Sequence, residues 1–491
     1  MGIFTLAIIN VSAIVSLRGL PAESTYGLSS VFYYIFAAVF FLVPVSLVAA
    51  ELTTGWPQKG GAFRWVGEAF GTRWGFLAIW LQWIESTIWF PTVLTFAAVS
   101  LAFVGPDQRW DEALAANKWY ALVIVLLVYW GSTLLNFRGM RTSGMVTKWG
   151  TIIGTLIPAA ILIICGIVYW ASGRPLQINM SPSELIPDLT NFNNLVLAAS
   201  IFLFYAGMEM SAVHVKDVRN PARDYPMAIF LSAGITVAIF VFGTLAIGFI
   251  IPQAQINLVQ SLLISYNDFF KFMGLSSFSW IIALFLAVGV LAQVTAWVMG
   301  PSKGLLQVGQ AGYLPKVMQK VNKNDVQVGI LLIQGGVVTL LSVLFVVMPS
   351  VQTAYQIISQ LTIILYLIMY ILMFSAAIYL RHKEPDTPRG FRIPGGKNLG
   401  MWIVGGVGLL GSLAAFIVSF IPPSQIPVGS PVLYVGLLVV GMIVFAGIPF
   451  VIYANRKESW KSTDAANQFE PFGWEKTEAS APAAPESTPK N

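Results

Sequence analysis

Long stretches without a charged side chain constrain this chain more than any other feature. No Asp, Glu, Lys or Arg occurs over residues 119–137, 149–173 or 272–302, and the same holds for Val326–Leu380 and Asn398–Asn455. A helix needs about 20 apolar residues to cross a bilayer, so each of the last two stretches has room for two spans and a turn. Only 10% of the 491 residues are charged and 56% are hydrophobic. This composition excludes a soluble globular domain and predicts an all-α polytopic membrane protein.

Counted in this way, the chain has twelve predicted transmembrane helices in one domain over residues 1–454. The predicted spans cover residues 3–20, 31–52, 75–104, 119–137, 150–171, 193–215, 226–251, 277–300, 328–348, 353–380, 399–421 and 431–454. Residues 455–491 are polar and end in a segment rich in Ala, Pro, Ser and Glu. Such a segment has too few apolar residues to form a core, so we predict a disordered tail.

Lys and Arg residues are divided unevenly between the two predicted sides of the membrane. One set of loops, together with the C-terminus, carries 23 of the 28 Lys and Arg residues. Cytoplasmic loops have such an excess, so both termini are predicted to be cytoplasmic. The net charge of +6 comes from these short loops beside the lipid bilayer, so it does not indicate a nucleic-acid partner.

Spans 1 and 6 share an interruption. Span 1 stops at Arg18-Gly19-Leu20-Pro21, and span 6 contains Tyr205-Ala206-Gly207 and stops before Asn220-Pro221. Interrupted helices five spans apart indicate a five-plus-five inverted repeat with a binding site near the middle of the membrane. We therefore predict a LeuT-like fold, with repeats over about 1–171 and 193–380 and two additional C-terminal helices over 399–454.

An acidic residue lies inside span 6. Glu209 closely follows Gly207 in an apolar run, and a carboxylate at that depth is costly unless it faces a polar cavity or pathway. Alternatively, Glu209 is a structural acid that ties span 6 to a neighbouring helix. A glycine beside the acid suits a helix that breaks to offer backbone groups to a ligand, which favours a transporter. No nucleophile–base pair or metal-ligand cluster stands out in the sequence, so we predict neither an enzyme nor a cofactor.

Several motifs resemble those of the amino acid–polyamine–organocation superfamily. They are Ala50-Glu51-Leu52 with Gly60-Gly61-Ala62-Phe63-Arg64-Trp65-Val66, Phe391-Arg392-Ile393-Pro394-Gly395-Gly396, and Gly207-Met208-Glu209 with Asn220-Pro221-Ala222-Arg223-Asp224-Tyr225-Pro226. The last motif, together with Leu291-Ala292-Gln293 and Trp297, is similar to the bacterial glutamate/γ-aminobutyrate antiporters in particular. The resemblance covers the chain to about Arg456. It implies exchange of one amino acid for another across a bacterial inner membrane.

The resemblance also implies a set of substrate-binding residues. They are Ile14, Val15, Ser16, Tyr205, Ala206, Gly207, Glu209, Trp297, Tyr366 and Tyr370. The first three match the unwound part of span 1, whose backbone amides would bind the substrate carboxylate. Trp297 matches an aromatic residue that closes over substrate in arginine/agmatine relatives, and Tyr366 matches a tyrosine that lines the site.

Four positions are candidates for coupling or gating: Glu209, Glu85, Gln293 and Arg18. The glutamate/γ-aminobutyrate antiporters carry a second acid where this chain has Gln293, and Arg18 and Glu85 also differ from their pattern. Glu85, in a polar stripe of span 3, either contacts substrate or pairs with a basic residue such as Arg18. Arg18 either attracts an anionic side chain or extends to the outer headgroups.

The predicted function is secondary antiport of small acidic or neutral amino acids, of the glutamate or γ-aminobutyrate kind, by alternating access. One alternative is a proton-coupled permease for a neutral amino acid, and another is an amino-acid sensor without transport. Protons are a candidate coupling partner, and the predicted assembly is a monomer or a homodimer. The resembling antiporters plug their inner mouth with a His-bearing tail, whereas residues 455–491 contain no His, so we expect no such plug.

Overall fold

The computed structural model describes residues 2–105, 107–187, 199–211, 220–396, 398–422, 430–464 and 467–475. Within these ranges the regular structure is helical, without a β-strand, and ten helical segments are long and apolar enough to cross a membrane. These segments are Gly27–Gly55, Thr72–Ala102, Lys118–Asn136, Met145–Ala171, Arg223–Ile250, Ser276–Tyr313, Val328–Val347, Val351–Lys383, Leu399–Val418 and Pro431–Ala454. Each overlaps one predicted span, so the predicted class, an all-α polytopic membrane protein, is confirmed.

The helices are numbered here in chain order. They are α1 Ile3–Ile14, α2 Leu20–Ser24, α3 Ser30–Ala37, α4 Val43–Gly55, α5 Ala62–Phe70, α6 Thr72–Ala102, α7 Gln108–Ala115, α8 Lys118–Asn136, α9 Met140–Thr151, α10 Ile157–Ala171, α11 Ala199–Tyr205, α12 Met208–Ser211, α13 Pro221–Ile250, α14 Ser261–Phe272, α15 Ser279–Val308, α16 Val328–Ser342, α17 Leu344–Val347, α18 Val351–Lys383, α19 Leu399–Val418 and α20 Pro431–Ala454. Three π-helical turns, Ala38–Leu42, Ile152–Leu156 and Gly309–Tyr313, adjoin α4, α10 and α15.

The two predicted spans outside the set of ten are the interrupted ones. Span 1, predicted over 3–20, consists of α1 followed by a non-helical segment and the short α2. Span 6, predicted over 193–215, is represented by α11 and α12, while residues 193–198 and 212–215 lie outside the described residues. The 12 residues of α1 rise only about 18 Å, less than the hydrocarbon thickness.

The long helix α6 lies at the centre of the bundle. It packs against α8, α15, α18 and α20, and α1 packs against α13. In the most apolar part of α6, 94% of the residues are buried inside the protein, compared with 11% in α20. Polar side chains on α6 therefore face protein or an internal cavity, whereas α20 presents its side chains to lipid.

A buried ion cluster connects the first two of the family-like motifs. The Glu51 carboxylate on α4 accepts hydrogen bonds from Nη1 of Arg381 at 2.5 and 2.6 Å and from the backbone N–H of Ile393 at 2.8 Å. Nε of Arg389 lies 3.3 Å from the same carboxylate. The end of α4 is therefore fixed to the end of α18 and to the loop after it.

Part of the C-terminal tail packs on α5, on the side of the bundle predicted to be cytoplasmic. Arg64 donates to the backbone carbonyls of Glu470 and Pro471, at 2.7 and 3.1 Å, and its guanidinium lies 4.5 Å from the ring centre of Phe472. The backbone N–H of Gly473 donates to the Glu68 carboxylate at 2.6 Å. We call this set of contacts the tail clasp.

Aromatic side chains complete the tail clasp. The Phe63 ring on α5 contacts the rings of Phe469 and Phe472, with centroids 5.3 and 5.8 Å apart, and Phe472 is buried. Nε1 of Trp474 donates to the backbone carbonyl of Gly67 at 3.2 Å. These contacts differ from the disorder predicted over 455–491, whose last part, 476–491, lies outside the described residues.

Helix α7 lies between spans on the side predicted to be external. Asp107 caps its N-terminus by accepting from the backbone N–H groups of Arg109 and Trp110 at 3.0 and 3.1 Å. Asp111, one turn further, is buried with 3% of its surface exposed. Burial, together with the nearby Asp107 and Glu112, raises the pKa of Asp111 to about 6.

Candidate functional site

Two helix interruptions lie at the centre of the protein. In span 1, Val15 and Ser16 have extended backbone between α1 and the turn Leu17–Gly19. In span 6, Gly207 joins α11 to α12 with φ of +103°, a conformation that side chains other than glycine rarely adopt. Span 6 is interrupted at Gly207, as the sequence predicts. Span 1 is interrupted at Val15 and Ser16, the positions implied by the resemblance, whereas residues 18–21, where the sequence predicts that it stops, are helical. Extended backbone leaves N–H and C=O groups outside a helical hydrogen-bond ladder, where they can meet a ligand.

A cavity of about 40 Å³ borders both interruptions. Its lining consists of Ile14, Ser16, Arg18, Glu85, Ser86, Trp89, Phe204, Ala206, Gln293, Trp297 and Tyr366. We call it the central cavity. It brings together residues from spans 1, 3, 6, 8 and 10, so a substrate held between the two interruptions would contact all five spans.

Most of the predicted site residues lie on this cavity, and some do not. Ile14, Ser16, Ala206, Trp297 and Tyr366 line it, together with Arg18, Glu85 and Gln293. Val15, Tyr205, Gly207, Glu209 and Tyr370 are buried without lining it. The list of predicted binding residues therefore divides into cavity-lining residues and residues behind them.

Tyr205 packs away from the cavity, against α3 and α13. Its hydroxyl donates to the backbone carbonyl of Tyr34 at 3.2 Å, and its ring stacks on Phe240 with centroids 5.7 Å apart. In contrast, Phe204, which the sequence analysis does not single out, lines the cavity. A Cβ atom at Gly19 would lie 2.0 Å from the Phe204 ring, so the span 1 interruption accepts this ring only because residue 19 is glycine.

Glu209 is the centre of a hydrogen-bond network. Its carboxylate accepts from the hydroxyl of Tyr366, from the hydroxyl of Tyr370 at 2.6 Å and from Nε2 of Gln82 at 3.4 Å. The Tyr370 hydroxyl in turn accepts from the backbone N–H of Gly207 at 3.0 Å. With 2% of its surface exposed, Glu209 ties the span 6 interruption to α18 and α6.

A second space lies on the other side of this network. It has a volume of about 330 Å³ and is bordered by Glu209, Gln82, Trp56, Lys59 and Gln307, among others. We call it the vestibule, because the loop Trp56–Gly61 on its border faces the side predicted to be cytoplasmic. Tyr366 lines the central cavity whereas Glu209 lines the vestibule, so their hydrogen bond lies between the two spaces.

Two further contacts across the central cavity involve α15, one with span 1 and one with α6. Oγ of Ser16 donates to Oε1 of Gln293 at 3.5 Å. The rings of Trp89 and Trp297 have centroids 5.6 Å apart. Trp89 lies one helical turn from Glu85 on α6, so the polar stripe noted in span 3 gave a signal for this residue that the sequence analysis did not use.

Comparisons with known proteins agree with this architecture. A family model described as amino acid permease matches residues 1–445. An uncharacterized transporter of Legionella pneumophila is 42% identical over 93% of this chain and 97% of its own length. A glutamate/gamma-aminobutyrate antiporter of Lactococcus lactis is 31% identical, over 92% of this chain and 90% of its own. A probable agmatine/putrescine antiporter of the same species is 26% identical, over 80% and 82% of the two chains.

Proposed function

Because this chain belongs to the amino acid permease family, an assignment that confirms the resemblance read from its motifs, we propose that it is an antiporter of small acidic or neutral amino acids. The observation that carries the proposal is the central cavity, which borders both helix interruptions and has Arg18 on its wall. The similarity to an antiporter named for glutamate and gamma-aminobutyrate supports the same substrate class.

In this mechanism the substrate lies between the two interruptions. Its α-carboxylate binds backbone N–H groups from Ser16 onward, because the N–H of Val15 already donates to the carbonyl of Val11 at 2.9 Å. Its ammonium meets the carbonyl end of α11 near Ala206. Trp297 and Tyr366 border the same space. No covalent step is needed, since transport requires only that the site open alternately to each side.

The proposed architecture has twelve spans in two inverted repeats, over about 1–171 and 193–380, followed by two additional helices. Spans 1, 2, 6 and 7 would rock against spans 3, 4, 8 and 9. The packing of α1 on α13 and of α6 on α15 supports this grouping. Glu209 would couple its protonation, or its hydrogen bonds to the tyrosines of α18, to this motion. The proposed location is a bacterial inner membrane with both termini in the cytoplasm.

Counterflow into proteoliposomes tests the function. Purified protein should take up labelled glutamate or γ-aminobutyrate much faster when the vesicles contain either compound than when they are empty. Equal uptake into empty vesicles, driven by a proton gradient, would favour the proton-coupled permease. Binding without uptake under any gradient would favour the sensor.

A further inference from the structure

Arg18 is a buried cation on the wall of the central cavity. Its side chain, 4% exposed, donates from Nη1 to the hydroxyl of Tyr355 at 3.0 Å and to that of Thr92 at 3.4 Å. Nε has no hydrogen-bond partner, and among the described residues no acid forms an ion pair with this guanidinium. The rings of Trp89 and Phe204 lie 5.3 and 5.8 Å from it. Neutral groups therefore fix its position but leave its charge uncompensated.

Glu85 is the corresponding acidic side chain on the same cavity. It is 2% exposed, Oε1 has no hydrogen-bond partner, and no cation among the described residues forms an ion pair with it. Arg18 and Glu85 both line the central cavity but are not paired with each other. The pairing alternative raised by the sequence is thus absent from this structure.

An unpaired guanidinium and an unpaired carboxyl group on one cavity suit a dipolar ligand, whose ammonium would favour the ionised form of Glu85. A buried charge is costly unless an opposite charge or hydrogen-bonding partners compensate it. A ligand with a carboxylate at Arg18 and an ammonium at Glu85 would compensate both at once. Because the two side chains are not in contact, the ligand must present its charges some distance apart.

We propose that Arg18 and Glu85 together recognise a γ-amino carboxylate unit, with the distal carboxylate at Arg18 and the amino group between Glu85 and the carbonyl end of α11, which border the same cavity. This inference rests on the proposed function and narrows its substrate class. In glutamate and in γ-aminobutyrate the amino group and the distal carboxylate are separated by the same three-carbon chain. One pair of side chains can therefore bind both exchange partners, while the additional α-carboxylate of glutamate lies at the span 1 interruption. The indoles of Trp89 and Trp297 border the space left for the methylene groups.

Competition against labelled γ-aminobutyrate counterflow tests the wild-type preference. Glutamate should compete well. Glutamine lacks the distal carboxylate, glutarate lacks the amino group and β-alanine has a shorter chain, so each should compete about tenfold less well or worse. Equal competition by glutamine and glutamate would overturn the proposal.

Charge-removing variants test the two side chains separately. Arg18→Gln should abolish the preference for glutamate over glutamine, and Glu85→Gln should abolish the preference for γ-aminobutyrate over glutarate. Arg18→Lys, which keeps the charge, should retain the preference for a distal carboxylate. Arg109→Gln and Glu184→Gln, at exposed positions outside the cavity, are the matched controls. Unchanged preferences in both cavity variants would overturn the proposal.

Thermal stabilisation by ligand separates this inference from the proposed function. γ-Aminobutyrate should stabilise the wild-type protein and the two controls but neither Arg18→Gln nor Glu85→Gln. If γ-aminobutyrate stabilises the wild type but not the two cavity variants, and the wild type shows no exchange, the antiport proposal fails and recognition by Arg18 and Glu85 is supported. If exchange occurs and γ-aminobutyrate stabilises both cavity variants as strongly as the wild type, recognition by Arg18 and Glu85 is contradicted and the antiport proposal is supported.

Discussion

The hydroxyl of Tyr370 lies 2.6 Å from Oε2 of Glu209 and 3.0 Å from the backbone nitrogen of Gly207. Tyr370 thereby connects the Glu209 carboxylate to the backbone of Gly207, the residue at which span 6 is interrupted. A carboxylate can accept from both Tyr370 and Tyr366 at once, whereas a protonated carboxyl must use one oxygen as a donor. Protonation of Glu209 would therefore reverse or break one hydrogen bond between span 6 and α18.

We expect Glu209→Gln to keep the protein folded and inserted but to reduce exchange by about tenfold or more, because an NH2 group that can only donate replaces one of the two oxygens that accept from the tyrosines. The pH dependence of exchange between about pH 5 and pH 8 should also flatten. Counterflow rates across this range are the measurement. Tyr370→Phe, which removes one donor and keeps the acid, is the matched variant and should retain pH dependence. Wild-type exchange by Glu209→Gln throughout the range would rule out coupling through Glu209.

Replacing Glu51 should destabilise the protein without altering substrate preference. Glu51→Gln leaves Arg381 and Arg389 without their buried anion, and breaking a buried ion pair costs about 3–5 kcal/mol. Thermal unfolding in detergent should show a clear decrease in the midpoint. The double variant Glu51→Leu with Arg381→Met should lose less stability than the two single changes would predict together. A midpoint equal to wild type for Glu51→Gln would contradict this role of the ion cluster.

Two C-terminal truncations should differ in stability. Removal of residues 464–491 takes away Phe469, Phe472 and Trp474, and a fully buried apolar side chain contributes about 1.5–3 kcal/mol. This truncation should lower the unfolding midpoint, whereas removal of 476–491 should not. We expect exchange per folded molecule at neutral pH to remain near wild type in both. A several-fold increase in exchange with the longer truncation would instead show that the tail obstructs the transport path.

The raised pKa of Asp111 predicts a pH-dependent stability difference. With a pKa near 6 in the folded protein and near 3.9 when unfolded, Asp111 releases its proton more readily from the unfolded chain. Its contribution to stability therefore falls as the pH rises from about 4 to about 6 and is constant above that. Over this interval the unfolding midpoint of the wild type should fall relative to that of Asp111→Asn as the pH rises. Glu184→Asn, at an exposed position, should run parallel to wild type.

The Lys and Arg distribution predicts the orientation of the chain. A reporter fused after Lys457 should be active only in the cytoplasm, and one inserted near Arg174 only outside. Paired enzymatic reporters that work on opposite sides of the membrane are the measurement. External activity after Lys457 would invert the orientation and place the vestibule on the outer side.

The ten regular spans could be predicted because length and apolarity alone define a transmembrane helix. Predicted ends fall within a few residues of the structure for α16, α19 and α20. In contrast, the segment that begins at Ser276 continues as helical turns to Tyr313, beyond the predicted end at residue 300. Its last part carries charge and lies past the apolar stretch, where hydropathy no longer indicates how far a helix continues.

Side-chain direction was the part that could not be predicted. Glu209 stood out as a lone acid in an apolar run. Because the helix is broken at Gly207, however, helical periodicity does not show which residues before the break lie on the same face as Glu209. Tyr205 was therefore assigned to the site, whereas the structure places Phe204 there instead. Trp89 was missed because tryptophans are frequent in this chain, with 16 in total, and only the fold shows which of them face a cavity.

The tail clasp has a consequence for the order of events during synthesis. Arg64 and its acceptor Glu470 are 406 positions apart in the chain, so α5 is made and placed beside the membrane long before its partner leaves the ribosome. During that interval the Phe63 ring lacks the cover that Phe469 and Phe472 later provide. A polypeptide cut short before Gln468 keeps this apolar surface uncovered, which is the feature that chaperones and proteases recognise in unfinished proteins. The tail clasp can therefore form only after residues 469–474 have been synthesised.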